Sequence, residues 1–328
     1  MVPEFAQLLL NDSALYQGTL ILFISLLLSK IAPLPRAAQP LVAFNLIAKE
    51  MALKVNRRNR SHSQQVIAGA LSALLLVVPF WAIIAFMLQL AAFPWFFEFV
   101  ILYICLNDEN FNLVADEVNR ALNQEDKARA RTMLLPWLTR DTKELTEVGL
   151  SKATIEKLVT APVYGTVASV LFFIIGGASL VLAARMLKQL ELCWVPINPK
   201  FRYFSRPVYW LNTVLFALPS WLWNLSLAIQ GGPKSLATLF KPVALNGRIY
   251  HELQTCAIAA SVLNIELGGP MKFNGVRVNT TKLNYGPLPK QNAIRDAIKL
   301  TRVTHLIWIS FVVLIPLIWA GLRYLQIG

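Results

Sequence analysis

Residues 66–92 read VIAGALSALLLVVPFWAIIAFMLQLAA, without one charged side chain. As a helix this run would be apolar on every face, so it needs protein or lipid on all sides. About 20 mostly apolar residues suffice to cross the hydrocarbon of a bilayer. Five further apolar segments lie at residues 19–34, 95–106, 163–187, 208–229 and 304–325. Charged residues make up only 15% of the chain and hydrophobic ones 56%, against about 25% charged in an ordinary soluble domain. The expected fold is all-α: a polytopic helical membrane protein with about 4–6 spans, plus amphipathic and cytoplasmic helices, forming a single membrane domain over residues 1–328. Segments 66–92, 163–187, 208–229 and 304–325 are expected to cross. Segments 19–34 and 95–106 are short enough to be half-inserted or buried in a bundle. No basic stretch precedes residue 19, so the first segment reads as a span rather than a cleaved signal peptide.

The net charge is +13. In a membrane protein such an excess gathers on cytoplasmic loops, so no nucleic-acid partner is expected. Residues 30–65 carry seven basic side chains, including Lys49, Arg57 and Arg60, and ten more lie between Lys234 and Arg302. Six crossings would put residues 30–65, 107–160 and 230–303 in the cytoplasm. Residues 188–206, with Cys193, would lie on the opposite side, as would both termini. The expected location is the bacterial inner membrane, multi-pass, with the lipid bilayer as partner. The five cations Arg185, Lys188, Lys200, Arg202 and Arg206 weaken that placement of the loop. Cys105, Cys193 and Cys256, with His62, His251 and His305, have no metal-ligand spacing, and no dedicated metal ligands are assigned.

Residues 39–60 read as an amphipathic helix ending in a basic cluster. It suits either the membrane surface or an extension of the preceding span. Residues 107–160 hold ten of the eighteen acidic side chains. They predict two helices broken near Asn123 and Pro136, with an apolar stripe of Leu113, Val114, Val118, Ala121 and Leu122. Ser151 is a plausible N-cap for a helix running into the fourth segment. Residues 230–303 predict a helix and then a turn-rich loop at Gly268–Gly269–Pro270, where backbone N–H groups can face an anion. The P-loop pattern is absent.

Four stretches resemble, in order and spacing, the CobD/CbiB family of cobalamin-pathway membrane proteins, the adenosylcobinamide-phosphate synthases. They are APLPRAAQPLVAFNLIAKEMALKVNR, RALNQEDKARARTMLLPWLTRDTKEL, SKATIEKL followed by FFIIGG, and SVLNIELGGPMKFNGV. The resemblance covers nearly the whole chain. It implies joining of aminopropanol, as its phosphate, to the corrinoid adenosylcobyric acid through an amide bond. ATP and magnesium would be expected to activate the carboxyl group, and other cobalamin-pathway proteins would be partners. Carried over, it implies Asp141, Glu156 and Glu191 as catalytic acids. Arg140, Thr142, Gly268, Gly269, Pro270 and Gly275 would bind substrate.

The chain departs from the family pattern where that pattern is most acidic. A-E-N-x-x-D-G is met by Thr160, Ala161, Tyr164 and Gly165. N-T-L-D-S is met by Lys188, Gln189, Leu190, Glu191 and Leu192, and R-L-D-D by Trp210, Leu211, Asn212 and Thr213. Two other readings therefore stand beside the synthase: a non-catalytic family member that binds a corrinoid or partner protein, and a membrane regulatory or signalling protein. Asp141 also suits a turn cap with Arg140 in solvent, and Glu156 an i,i+4 pair with Lys152. Glu98 is an intramembrane acid or an interfacial residue beside Trp95. Tyr209, Trp210, Trp221 and Trp223 suit a corrin-stacking surface or, preferably, an interfacial belt.

Overall fold

The computed structural model describes residues 12–35, 38–57, 59–106, 111–241, 250–290 and 292–325. The helices are α1 (Ser13–Ile31), α2 (Pro40–Val55), α3 (His62–Leu90), α4 (Pro94–Cys105), α5 (Phe111–Asn123), α6 (Lys127–Leu134) and α7 (Glu147–Pro162). A π-helical turn, Val163–Val167, leads into α8 (Ala168–Cys193). There follow α9 (Arg206–Leu215), α10 (Ala217–Gln230), α11 (Gly232–Leu239), α12 (Tyr250–Leu263) and α13 (Ala293–Leu325). The protein is a helical membrane protein. Ser13–Ile31, His62–Leu90, Glu147–Cys193 and Ala293–Leu325 are long and apolar enough to cross a bilayer.

Two contacts define the ends of the bundle. At one end Asp12 accepts from Arg323 and Trp319, each at 2.8 Å, tying the start of α1 to the end of α13. The Arg323 hydrogen bond, then that from Trp319, holds the Asp12 carboxyl below its usual range. At the other end the Tyr103 hydroxyl on α4 donates to the Ala32 carbonyl. This second end carries the long loops and is the loop face. α3 begins there on a capping box formed by Ser61 and Gln64, which satisfies two otherwise orphaned backbone donors.

The fourth apolar segment does not cross. Inside α8, Gly176 (φ −148°) and Gly177 (φ +66°, ψ −169°) leave the helical region, and the chain doubles back. Gly177 adopts a backbone conformation that glycine accepts without steric penalty. Arg185 on the returning arm donates to the Tyr164 carbonyl at 3.1 Å, and Lys188 lies 3.6 Å from the centre of the Tyr164 ring. From Tyr164 to the turn is about 17 Å of helix, roughly half the hydrocarbon thickness. The hairpin therefore enters and leaves through the loop face.

Residues 194–206 are accordingly fixed to the loop face, correcting the opposite placement of residues 188–206. The Trp194 indole donates to Ala48 O on α2 at 3.0 Å, Asn56 donates to Lys200 O at 2.9 Å, and His62 stacks on Tyr203 at 3.8 Å. Gly69 on α3 lies so close to the Phe204 carbonyl that a β-carbon would overlap it.

The fifth segment also turns back. α9 stops at Leu215, whose carbonyl would have needed the N–H that Pro219 lacks. Phe216 is buried at the bend, against Tyr164 and Phe172. α10 then returns to the loop face, where Gln230 donates to Thr304 Oγ1 at 2.7 Å. Each reversal removes one of the six expected crossings, so the described parts of the three long loops stay at one end of the bundle.

On the loop face, α5 buries Phe111, Ala115, Val118, Ala121 and Leu122. Leu113 points outward, because it lies about 200° round the helix from Phe111, so the stripe runs through Phe111 and Ala115 instead. Thr146, not Ser151, caps α7: its Oγ1 accepts from Gly149 N at 3.2 Å, and Ser151 is buried inside the helix. The region after α12 contains strands that the sequence did not suggest. β1 (Glu266–Gly268) pairs with β4 (Lys282–Asn284), and β2 (Met271–Phe273) with β3 (Val276–Val278), both antiparallel. Three residues are too few for a period-2 pattern to show. The aromatic residues separate: Trp210 and Trp221 are exposed, whereas Trp223 is fully buried and donates to Val159 O at 2.8 Å. Trp223 therefore belongs neither to a surface belt nor to a stacking face.

Candidate functional site

The mouth of the helical hairpin opens on the loop face into a cavity of about 120 Å³. Its walls include Arg140, Glu156, Lys157, Tyr164, Arg185, Lys188, Glu191 and Glu252. A wider cleft of about 500 Å³ adjoins it and shares Trp137, Thr139, Lys157, Gln189 and Leu192. Asn45 and Lys49 of α2 form its far wall.

Each polar group reaches the cavity for a local reason. Pro162 has no N–H to give the turn before it. The chain widens there into the π-helical turn, a form that recurs at functional sites, and Tyr164 sits within it. The returning arm carries Arg185, Lys188 and Glu191 at helical spacing, so all three line the cavity. Lys188 Nζ lies 2.9 Å from Glu191 Oε1 and 3.1 Å from Glu252 Oε1, and its side chain is only 3% exposed. Asn212 on α9 donates to the other Glu191 oxygen at 2.6 Å.

Among the proposed site residues, Arg140, Glu156 and Glu191 converge on this one cavity, although Glu191 was expected across the membrane from Arg140. Arg140 is not in solvent: it pairs with Glu156 at 3.3 Å, and the two side chains are 11% and 8% exposed. Lys152 pairs with Glu266 instead of with Glu156. The other Glu156 oxygen accepts from Gly268 N at 2.7 Å, so the N–H of the first glycine in the L-G-G-P loop does face an anion, one belonging to the protein. Gly269 N donates to Thr281 O at 3.2 Å.

Asp141 points elsewhere. Its carboxylate accepts from Asn274 N at 3.3 Å and Gly275 N at 2.8 Å, and its own N–H donates to Lys272 O. It caps the β2–β3 turn, where Asn274 and Gly275 both have positive φ. Thr142 is buried and its carbonyl accepts from Leu145 N. Asp141, Thr142, Gly268, Gly269, Pro270 and Gly275 stand behind the cavity wall, where Met271 and Phe273 of β2 form the lining. The sequence missed Glu252. Its only signal was a carboxylate in the otherwise apolar α12.

The expected magnesium finds no cage here. Among the described residues no group of three His, Cys, Asp or Glu side chains is placed to hold a metal ion. Glu156 and Glu191 each already accept from two protein donors.

Residues 22–301 match the CobD/Cbib protein family. The chain belongs to the CobD/CbiB family. It is 26% identical to the cobalamin biosynthesis protein CobD of Stutzerimonas stutzeri over 304 residues, covering 92% of this chain and 97% of that one. It is 25% identical to the protein of the same name from Chromobacterium violaceum, covering 89% and 94%. The cobalamin biosynthesis protein CbiB of Salmonella typhimurium is 26% identical, covering 70% and 72%. No solved structure matches the chain. Within this CobD/CbiB chain Thr160, Tyr164, Lys188 and Glu191, which stand in the motifs that carried the resemblance, all line the hairpin cavity, and Asn212 bonds to Glu191.

Proposed function

We propose that this chain is a cobalamin biosynthesis protein of the bacterial inner membrane. It would act as an adenosylcobinamide-phosphate synthase, joining aminopropanol phosphate to a corrinoid carboxyl group as an amide. Family membership supports the reading. The observation that carries it is the convergence of Arg140, Glu156, Lys188, Glu191 and Glu252 on one cavity beside a wider cleft. The large, flat corrinoid is assigned to the open cleft between α2 and Trp137, and the smaller phosphate-bearing amine to the charged mouth of the hairpin. Arg140, Lys157, Arg185 and Lys188 outnumber the three glutamates there, so the cavity favours an anion.

A carboxylate oxygen is a poor leaving group until it is phosphorylated, and ATP is the expected activator. Any magnesium would arrive with the nucleotide phosphates, as is usual for this ion. The loop face is assigned to the cytoplasm by its basic residues. The cations from Arg185 to Arg206 now lie on that face and strengthen the assignment.

The test is complementation. The chain is expressed in a bacterium lacking its own cobinamide-phosphate synthase and supplied with adenosylcobyric acid. Cobalamin-dependent growth is expected, and it should be lost with Arg140→Gln and Glu191→Gln. Absence of growth from wild-type protein shown by immunoblot to be in the membrane would overturn the reading.

A further inference from the structure

The Lys188 ammonium is among the most enclosed charges in the described structure, and its surroundings resemble those of a bound cation. Two carboxylate oxygens, from Glu191 and Glu252, lie 2.9 and 3.1 Å from Nζ, and the Tyr164 ring face lies 3.6 Å away. Two carboxylates facing one point, Glu191 buried and Glu252 partly exposed, repel each other unless a cation stands between them. The outer oxygen of Glu191 accepts from Asn212 at 2.6 Å, so both of its oxygens are already engaged by protein donors.

The sequence departures meet at the same point. The motifs that the chain resembles imply Glu, Asp, Asn and Asp at positions 160, 164, 188 and 212, where this chain has Thr160, Tyr164, Lys188 and Asn212. Three acids are lost and one cation is gained. The structure brings all four positions round Glu191: three line its cavity and the fourth is bonded to it. Each change alone would unbalance a buried site. Together they exchange negative ligands for a fixed positive charge.

We propose that the Lys188 ammonium is the built-in cation of this site. It stands between Glu191 and Glu252 where a divalent metal ion would otherwise be held, and this chain keeps no metal there. The inference goes beyond the synthase reading and does not depend on which corrinoid the cleft takes, because its readout is metal binding rather than amide formation.

The experiment is an electron paramagnetic resonance titration of Mn²⁺ into the full-length chain purified in detergent. Wild type is expected to show no saturable site. Lys188→Gln should gain one equivalent of bound Mn²⁺, and Lys188→Gln/Glu191→Gln should lose it again. Lys188→Asn/Asn212→Asp, which rebuilds two positions of the family pattern, should also gain one equivalent and decides the matter if Lys188→Gln does not fold. Saturable Mn²⁺ binding by wild type that disappears in Glu191→Gln would overturn the proposal. So would a folded Lys188→Asn/Asn212→Asp protein binding no more Mn²⁺ than wild type. Neither outcome depends on growth in the complementation assay, so the two readings fail separately.

Discussion

Arg185 donates a hydrogen bond to the carbonyl of Tyr164, 21 positions earlier, at 3.1 Å. A continuous helix would separate those residues by about 31 Å. The reversal at Gly176–Gly177 follows from that one contact, and it places Glu191 and Arg140 on the same cavity.

Topology is the most direct test. Single cysteines at Lys200, Lys143 and Arg57, in a background without other cysteines, should react with a membrane-impermeant maleimide from one and the same side. All three belong to the loop face, and Lys143 and Lys200 are exposed. Labelling of position 200 from the opposite side would restore a six-crossing arrangement and remove the hairpin.

Gly177 holds the reversal. At φ +66° and ψ −169° a side chain is strained, and such backbone strain costs about 1–3 kcal/mol. Gly177→Ala should therefore lower the thermal midpoint in detergent clearly. Gly176→Ala is unstrained at a φ of −148° but sets its β-carbon 2.9 Å from Leu180 Cδ2, so adding Leu180→Ala should relieve Gly176→Ala and not Gly177→Ala. Relief of Gly177→Ala by Leu180→Ala would mean that φ at Gly177 is not the limiting constraint.

Glu156 joins Arg140 to the L-G-G-P loop. Removing one partner of a buried ion pair costs about 3–5 kcal/mol, because the other charge is left uncompensated. Glu156→Ala should approach that loss in chemical denaturation. Arg140→Ala/Glu156→Ala should cost less than the two single losses combined. Strict additivity would show that the two residues do not act as a pair.

Asp141 is assigned to the β2–β3 turn. Hydrogen bonds to a charged acceptor contribute about 1.5–3 kcal/mol, and less where the group is exposed, as here. Asp141→Asn keeps an acceptor for one of the two N–H groups, so it should retain growth in the complementation assay with a modest fall in stability. Complete loss of growth with normal membrane abundance would move Asp141 into the catalytic set.

The tie between Asp12 and Arg323 predicts a dependence on acid. The Asp12 carboxyl titrates below its usual range. Its contribution is thus fully present above the unfolded value, about 3.9, and fades as pH falls through the lower folded value. The thermal midpoints of wild type and Asp12→Asn should differ at neutral pH and converge in strong acid. A gap independent of pH would rule out the ion pair as its source.

Much of the loop face was legible because its signals are local. The break near Asn123, the helix entering the fourth segment and the turn at Gly268–Gly269 each depend on neighbours within a few residues. The pairing of Glu156 was not legible, because its partners Arg140 and Gly268 lie 16 and 112 positions away. Glu252 carried no motif at all. It matters only because α12 packs where Lys188 emerges.

The sequence by itself determined that this is a helical membrane protein of the CobD/CbiB family. Apolar length and motif order are properties of the chain taken one stretch at a time. Only the tertiary structure decided which apolar stretches cross. Residues 163–187 and 208–229 are apolar enough to span, but hydropathy measures how well a residue tolerates lipid and says nothing of direction. Direction was set by the Gly177 backbone, by the N–H missing at Pro219, and by polar groups on the returning arms that find their partners only on the loop face.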